Sequence, residues 1–399
     1  MNSIKSVEAI VVGERGSEAT WASVAVLVRV VTSNGGVGYG EAVPTLRTGQ
    51  VVEAVRRLAS VVDGMDPHDL ELIHRSWVRE EFYLHRSIES TAALSALDIA
   101  LWDIKGRELG APVHELLGGA YRRNILAYAN GWYGGCRTPD DFANAASRVV
   151  GMGYRGLKFD PFGGYFDYID RAGVERSSRI VGAVREAVGD DVHLMIEHHG
   201  RFEYESAVRI ADALSAYTPL FMEEPVHPYD LEGLRRYRAR TRVPVALGER
   251  ILNKEEALQY LKEGLVDFLQ VDLTNVGGIT EAWKIAAIAD SFGVRMAYHN
   301  AFGPLQNAAT LQLDATIPNF MIQETFYDFF PQWKRDMVGD SMKLTGGYHR
   351  VPGGPGLGVD VREDVIDSHR VEGLEERVPG EPVWVVRGTW IGEDASRIP

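Results

Sequence analysis

From residue 124 to residue 324 the chain repeats one pattern: a short apolar run, then a stretch of helical periodicity. The runs are ILAYAN, YRGLKFD, HLMIEH, LFMEEP, VPVALGER, VDFLQVD, VRMAYHN and NFMIQET. Helices are expected between them near 140–151, 177–188, 204–216, 231–240, 254–263 and 280–292, with one more helical segment before the eighth run. Strands that alternate with helices lie parallel, because each helix carries the chain back along the sheet before the next strand begins. Eight such units favour closure into a barrel. An open doubly wound sheet is the alternative, but it usually has fewer strands and a glycine-rich phosphate loop after the first. No such loop is present.

Residues 1–123 follow a different pattern. β-like runs at 24–31 and 37–41 flank the turn Asn34-Gly35-Gly36, and helical periodicity takes over from 49 to 117. This is an α+β domain. Residues 124–345 form the barrel. The segment 346–399 contains VPGGPGLGVDV, is not another strand–helix unit, and is expected to return to the first domain. The fold class is therefore α/β, a modified (β/α)8-type barrel with a smaller α+β domain.

Composition narrows the function. The formal net charge of -14 over 399 residues argues against nucleic acid or an anionic membrane as partner, though not against a small acidic substrate. No apolar run is long enough to span a bilayer. The single cysteine, Cys136, cannot form an internal disulfide, and a reduced cytoplasmic setting fits. The opening MNSIKSVEAIVV reads as a first strand rather than a signal peptide.

Parallel barrels carry their chemistry at the C-terminal ends of the strands. Here those ends hold Lys158 and Asp160, Glu197-His198-His199, Glu223-Glu224, Glu249-Arg250, Gln270 and Asp272, His299-Asn300, and Gln323-Glu324. Alternation puts i and i+2 on one face, so Lys158 goes with Asp160 and Glu197 with His199, while His198 turns away. Any one rim glutamate could be an ion-pairing residue. Only one of Glu223 and Glu224 can point into the mouth, so the fourth strand offers one glutamate, Glu223, beside Glu197 and the fifth strand's Glu249. Three at one level on adjacent strands repel unless a cation lies between them. An all-oxygen set favours a hard divalent ion, with Mg²⁺ the default. His199 and His299 are the acid and base, since imidazole titrates near neutrality. Asp272 is placed to orient His299, and Lys158 to neutralise developing negative charge.

This combination resembles the enolase superfamily, in its mandelate racemase-like branch, over nearly the whole chain. The likeness is carried by SALDIALWDIK (95–105), Glu223-Glu224-Pro225, Gly248-Glu249-Arg250, Asp272 followed by NVGG (275–278), and His299. It implies that the first domain caps the barrel and is completed by the C-terminal segment. It also implies one Mg²⁺ on Glu197, Glu223 and Glu249, a base dyad of Asp272 and His299, and Glu324 hydrogen-bonding the substrate carboxylate. Lys158 matches the first lysine of a Lys-x-Lys motif, and Asp160 stands where the second would be. The first metal ligand is more often aspartate. The run EHHGR (197–201) looks most like galactonate dehydratase and related sugar-acid dehydratases, in which the histidine matched by His199 helps the leaving hydroxyl depart.

The implied reaction removes the proton α to a carboxylate and expels the β-hydroxyl, giving a 2-keto-3-deoxy sugar acid from a galactonate- or gluconate-like substrate. A cycloisomerase of an anhydro- or lactone sugar acid, or a racemase/epimerase, would use the same enolate chemistry. Asp160 in place of lysine weakens the racemase reading. A barrel that only binds its ligand is a third alternative, but it has no need of an oriented base. Asp160, Arg201 and Trp21 are candidate substrate contacts, the last within a cap loop at 13–21, with Tyr83, His85 and Arg86 as further polar candidates. The family usually forms homo-oligomers.

Overall fold

The structure is a computed structural model that describes residues 2–13, 24–43, 47–80 and 86–371. The loop at 13–21, with Trp21, and the residues Tyr83 and His85 thus lie outside the described residues, apart from Gly13 itself.

The first sheet is antiparallel, in the order β1 (Ile4–Gly13), β2 (Val24–Thr32), β3 (Val37–Ala42). Helices α1 (Thr48–Val62), α2 (Leu70–Glu80) and α3 (Ile88–Leu109) follow. Helix α3 begins at Ser87, whose side chain accepts the Ser90 N–H, and ends at Gly110 in the left-handed conformation. It is buried on nearly every side, because the sheet covers one face and the barrel another. Gly38 and Gly40 allow the closest approach. A Cβ at either position would lie 2.3 Å from the Ala100 carbonyl oxygen or 1.9 Å from that of Ala96.

The second sheet is parallel and curled. Its strands are β4 (Asn124–Ala129), β5 (Gly156–Phe159), β6 (His193–Glu197), β7 (Phe221–Glu223), β8 (Val245–Leu247), β9 (Phe268–Leu269), β10 (Arg295–Met296) and β11 (Gln323–Thr325). Each pairs with the next from β4 to β10, and β11 pairs with β4. Met296 on β10 bridges Phe320 on the approach to β11, through hydrogen bonds with Asn319 and Met321. The two edges thus meet, and all eight expected strands take their places in a ring.

After the short α4 (Val113–Leu116), the crossovers are α5 (Pro139–Gly151), α6 (Arg171–Val188), α7 (Tyr204–Leu214), α8 (Leu231–Arg240), α9 (Lys254–Lys262), α10 (Gly278–Ser291) and α11 (Pro304–Asp314). Only α6 departs clearly from expectation, starting six residues before 177. Its first turns hold few apolar residues, so periodicity is silent there. The start is set instead by Asp170, whose carboxylate accepts the Gly173 N–H. Among the described residues no helix is long and apolar enough to cross a membrane.

The ring is filled by one buried layer: Tyr128, Met195, Phe221, Ala246, Phe268, Ala297 and Ile322. Strand β5 contributes Gly156, where an added Cβ would lie 2.8 Å from Tyr128 and 3.2 Å from Met195. That layer is the floor beneath the strand ends. Beyond the ring come α12 (Gln332–Asp336), β12 (Tyr348–Arg350), which pairs antiparallel with β4, and α13 (Glu363–Ser368). The chain then reaches the first sheet: Val371 N–H donates to the Val11 carbonyl and Gly13 N–H to that of His369.

Candidate active site

Stepping two residues along each strand from the floor layer reaches Asn130, Lys158, Glu197, Glu223, Gly248, Gln270, His299 and Glu324. The period-two geometry aims these at the interior, one level higher. Polar groups are thus stacked directly on an apolar floor, where a low dielectric magnifies their fields.

The three expected metal ligands converge. Glu197, Glu223 and Glu249 each offer a carboxylate oxygen, and these oxygens lie within 4.8 Å of one another. Glu223 arrives on β7 itself. Glu249 arrives by way of Gly248, whose φ of +152° and lack of a Cβ let β8 press against β9. A side chain there would lie 2.6 Å from the backbone nitrogens of Gln270 and Val271. Asn275, from the NVGG run, holds the Glu249 carbonyl at 2.9 Å.

Lys158 stands among the carboxylates. Its Nζ is 2.7 Å from Glu223, 2.9 Å from Glu324 and 3.2 Å from Glu197. Burial disfavours the ammonium, but Glu223 and Glu324 hold it charged, well above its usual pKa. Burial and the neighbouring Glu197 push Glu223 well above the carboxylate range. One lysine therefore does not balance this cluster. A hard divalent cation on Glu197, Glu223 and Glu249 fits both the donor set and the charge.

Two histidines flank the carboxylates. His299 Nδ1–H donates to Asp272 at 2.5 Å, and its Nε2 lies 3.3 Å from Glu249 and 3.9 Å from Glu324. Asp272 is fixed by the N–H and hydroxyl of Thr274, both at 2.6 Å. Burial opposes charge on the His299 ring, but Glu324, Glu249 and Asp272 outweigh it and raise its pKa to about 9.

His199 sits across the mouth, since β6 and β10 are four places apart in the ring of eight. It reaches the mouth by a different route from the one expected. β6 ends at Glu197, and His199 takes a left-handed φ of +54° while its N–H donates to Glu197 at 2.7 Å. Its Nδ1 is 2.8 Å from Asp160, which leaves proton exchange with a ligand to Nε2.

Asp160 and Arg201, expected at the substrate, are instead turned towards one another. Arg201 pairs with Asp160 and also donates to the carbonyls of Gly163 and His198. The two form a support beneath His199. His198 is fully buried against Phe162 and Phe202, and burial lowers its pKa to about 4, so it is a neutral packing residue as expected.

Glu324 is buried and accepts from Asn130 at 2.8 Å and from the Asn300 N–H at 2.9 Å. Gln270 donates to Glu223 at 2.7 Å. Neither Asn130 nor Gln270 was assigned a role from sequence, although both lie on the inward phase of their strands.

Exposure locates the entrance. The side chains of His199, Glu249 and His299 are 18, 16 and 12% exposed, whereas those of Lys158, Asp160, Glu197, Glu223, Asp272 and Glu324 are at or below 1%. A ligand entering here meets the two imidazoles and Glu249 first.

Comparison with known proteins agrees with this architecture. Residues 16–118 match the mandelate racemase / muconate lactonizing enzyme N-terminal domain, and residues 141–365 the enolase C-terminal domain-like family. The chain is 54% identical to a D-gluconate dehydratase of Thermoproteus tenax, over 98% of this chain and 78% of that one. It is 44% identical to a D-gluconate/D-galactonate dehydratase of Picrophilus torridus, over 98% of this chain and 100% of that one. A crystal structure of a mandelate racemase/muconate lactonizing enzyme from Jannaschia sp. CCS1 superposes with a TM-score of 0.86 at 30% identity, covering 93% of this chain and 98% of that one. The chain belongs to the mandelate racemase/muconate lactonizing enzyme family of the enolase superfamily.

Proposed function

We propose that this protein is a Mg²⁺-dependent sugar-acid dehydratase that converts an aldonic acid such as gluconate or galactonate to a 2-keto-3-deoxy acid. One observation carries the reading: two imidazoles, each oriented by its own carboxylate, come from the ends of β10 and β6, four places apart in the ring, beside a three-glutamate cluster. The names of the relatives from Thermoproteus tenax and Picrophilus torridus support the substrate class.

Glu197, Glu223 and Glu249 would hold Mg²⁺, which when bound supplies a Lewis acid for the substrate carboxylate. His299 Nε2 takes the α-proton, and Asp272 stabilises the imidazolium that results. Lys158, charged in its buried position, stabilises the enediolate oxygens through its field. His199 Nε2 gives a proton to the β-hydroxyl as the C–O bond breaks, so water leaves and the enol product becomes the keto acid. Glu324 presents its charge to His299 and Lys158 and keeps both cationic groups in register.

The test is incubation of the purified protein with gluconate and galactonate in D₂O, with Mg²⁺ or with EDTA. Formation of 2-keto-3-deoxy acid that EDTA stops is the expected result. Exchange or inversion of the α-carbon without keto acid would point to an epimerase. The same assay with an anhydro or lactone sugar acid tests for a cycloisomerase, whose isomeric product would carry one solvent deuteron. No exchange and no product with any sugar acid would overturn the reading.

A further inference from the structure

The base is anchored from outside the barrel. Between His299 and the start of α11 at Pro304 runs a short connection, and its groups are held by the N-terminal domain. Glu41, on β3, is fully buried and reaches the first turn of α11, where its Oε2 accepts the Gln306 N–H at 3.1 Å. A carboxylate at a helix N-terminus satisfies donors that have no partner within the helix. Gly303 lies so close that a Cβ there would fall 2.0 Å from the Glu41 carboxylate. Gln306 passes the constraint on: its Nε2 donates to the His299 carbonyl at 3.2 Å, and its Oε1 accepts the Phe302 N–H at 2.8 Å.

A second buried charge closes the clamp. Lys334 donates to the Phe302 carbonyl at 2.5 Å and to the Val24 carbonyl on β2 at 3.2 Å. Burial lowers the pKa of Lys334 to about 8, with the charge of Glu41 acting against that fall. A buried carboxyl group and a buried amino group therefore grip the backbone just past His299, and both tie it to the small sheet. The stretch 299–306 has no other comparable tie to the first domain among the hydrogen bonds described.

We propose that Glu41 is a positioning residue for His299, so that docking of the N-terminal domain sets the aim of the base. This rests on His299 being the base. An imidazole displaced by about 1 Å can lose about 10²-fold in rate.

The test compares Glu41→Gln with Glu41→Gln/Lys334→Met. The double variant removes both buried groups and so separates positioning from the effect of the amine that Glu41→Gln leaves buried. The expectation for both is a kcat reduced about 10- to 100-fold, with α-proton exchange falling in parallel and KM little changed. A second readout needs no substrate: the downfield proton NMR signal of the His299 Nδ1–H shared with Asp272, assigned by its loss in His299→Asn. That signal should shift or broaden in both variants. Should kcat and the resonance stay as in the wild type while only Tm falls, Glu41 is structural and the proposal fails. It also fails should the double variant regain full kcat. Were the wild type to act on no sugar acid, the proposed function would fall, and the resonance alone would then decide the role of Glu41.

Discussion

The two histidine stations are built from the same parts and held differently. At His299 the orienting carboxylate, Asp272, is held by neutral donors, and Glu249 and Glu324 add their charge nearby. At His199 the orienting carboxylate, Asp160, is shared with Arg201. A guanidinium on the same carboxylate offsets its field, so Asp160 aims the ring without adding the full negative charge. The first arrangement suits a group that must take a proton, the second a group that must give one. The difference teaches that an orienting carboxylate does not by itself make a base. What else that carboxylate binds decides its effect.

The largest effect should come from the side of the mouth that initiates reaction. His299→Asn removes the proposed base, so both elimination and α-proton exchange should fall by about 10⁴-fold, the upper range for general base catalysis. Proton NMR in D₂O follows the exchange, and a keto-acid assay the elimination. Glu249→Gln should cost about 10³-fold by weakening the cation site, with circular dichroism unchanged. It is a cleaner test than Glu223→Gln, which would also turn an amide towards Lys158 and Gln270. Full activity at limiting Mg²⁺ would remove the three-glutamate assignment.

On the opposite side, His199→Asn should lose about 10²- to 10³-fold in elimination yet keep exchange, because His299 can return a deuteron to the same face. The reverse pattern would exchange the two roles. Arg201→Gln should have the smallest effect, about tenfold in elimination with exchange intact, as Asp160 loses the partner that offsets its charge. A lower Tm should accompany it, since breaking a buried pair strands the remaining charge. Equal losses of exchange and elimination in that variant would erase the distinction between the stations.

The strand ends were legible because a parallel barrel has one period and one catalytic rim. Glu197, Asp272 and His299 follow from strand ends and alternation. The choice of Glu223 over Glu224 needs the family resemblance, and Glu249 lies one residue past the inward Gly248, where the turn at φ +152° redirects the chain. His199 was placed at the mouth, but the left-handed turn that takes it there leaves no trace in a residue pattern. The pairing of Asp160 with Arg201 was equally hidden. The two are 41 positions apart, and a charged residue near a site looks the same whether it faces a ligand or a neighbour. Glu41 was unreadable for a stronger reason: its partner, Gln306, is 265 residues away on another element. The 95–105 run, noted only as a family signature, proves to be a joint. Ser95 accepts the Gly277 N–H at 2.8 Å and Asp98 the Thr280 N–H at 3.1 Å, at the start of the helix that follows Asp272.

The hydrogen bonds between Val11 and Val371, and between Gly13 and His369, set an order of events in folding. A growing chain could pair β4 with β5, and each later strand with its predecessor, soon after each emerges, because those contacts are local. The outer edge of β1 has no such option. It must wait until some 360 further residues have been made, and the entropy of closing so long a loop is offset only once the rest is in place. A ribosome-bound chain would therefore hold a nearly finished barrel under a small sheet with an open edge, and exposed edges recruit other strands. Truncation just before residue 369 should accordingly leave a chain more prone to aggregate during synthesis than its loss of a few contacts would suggest.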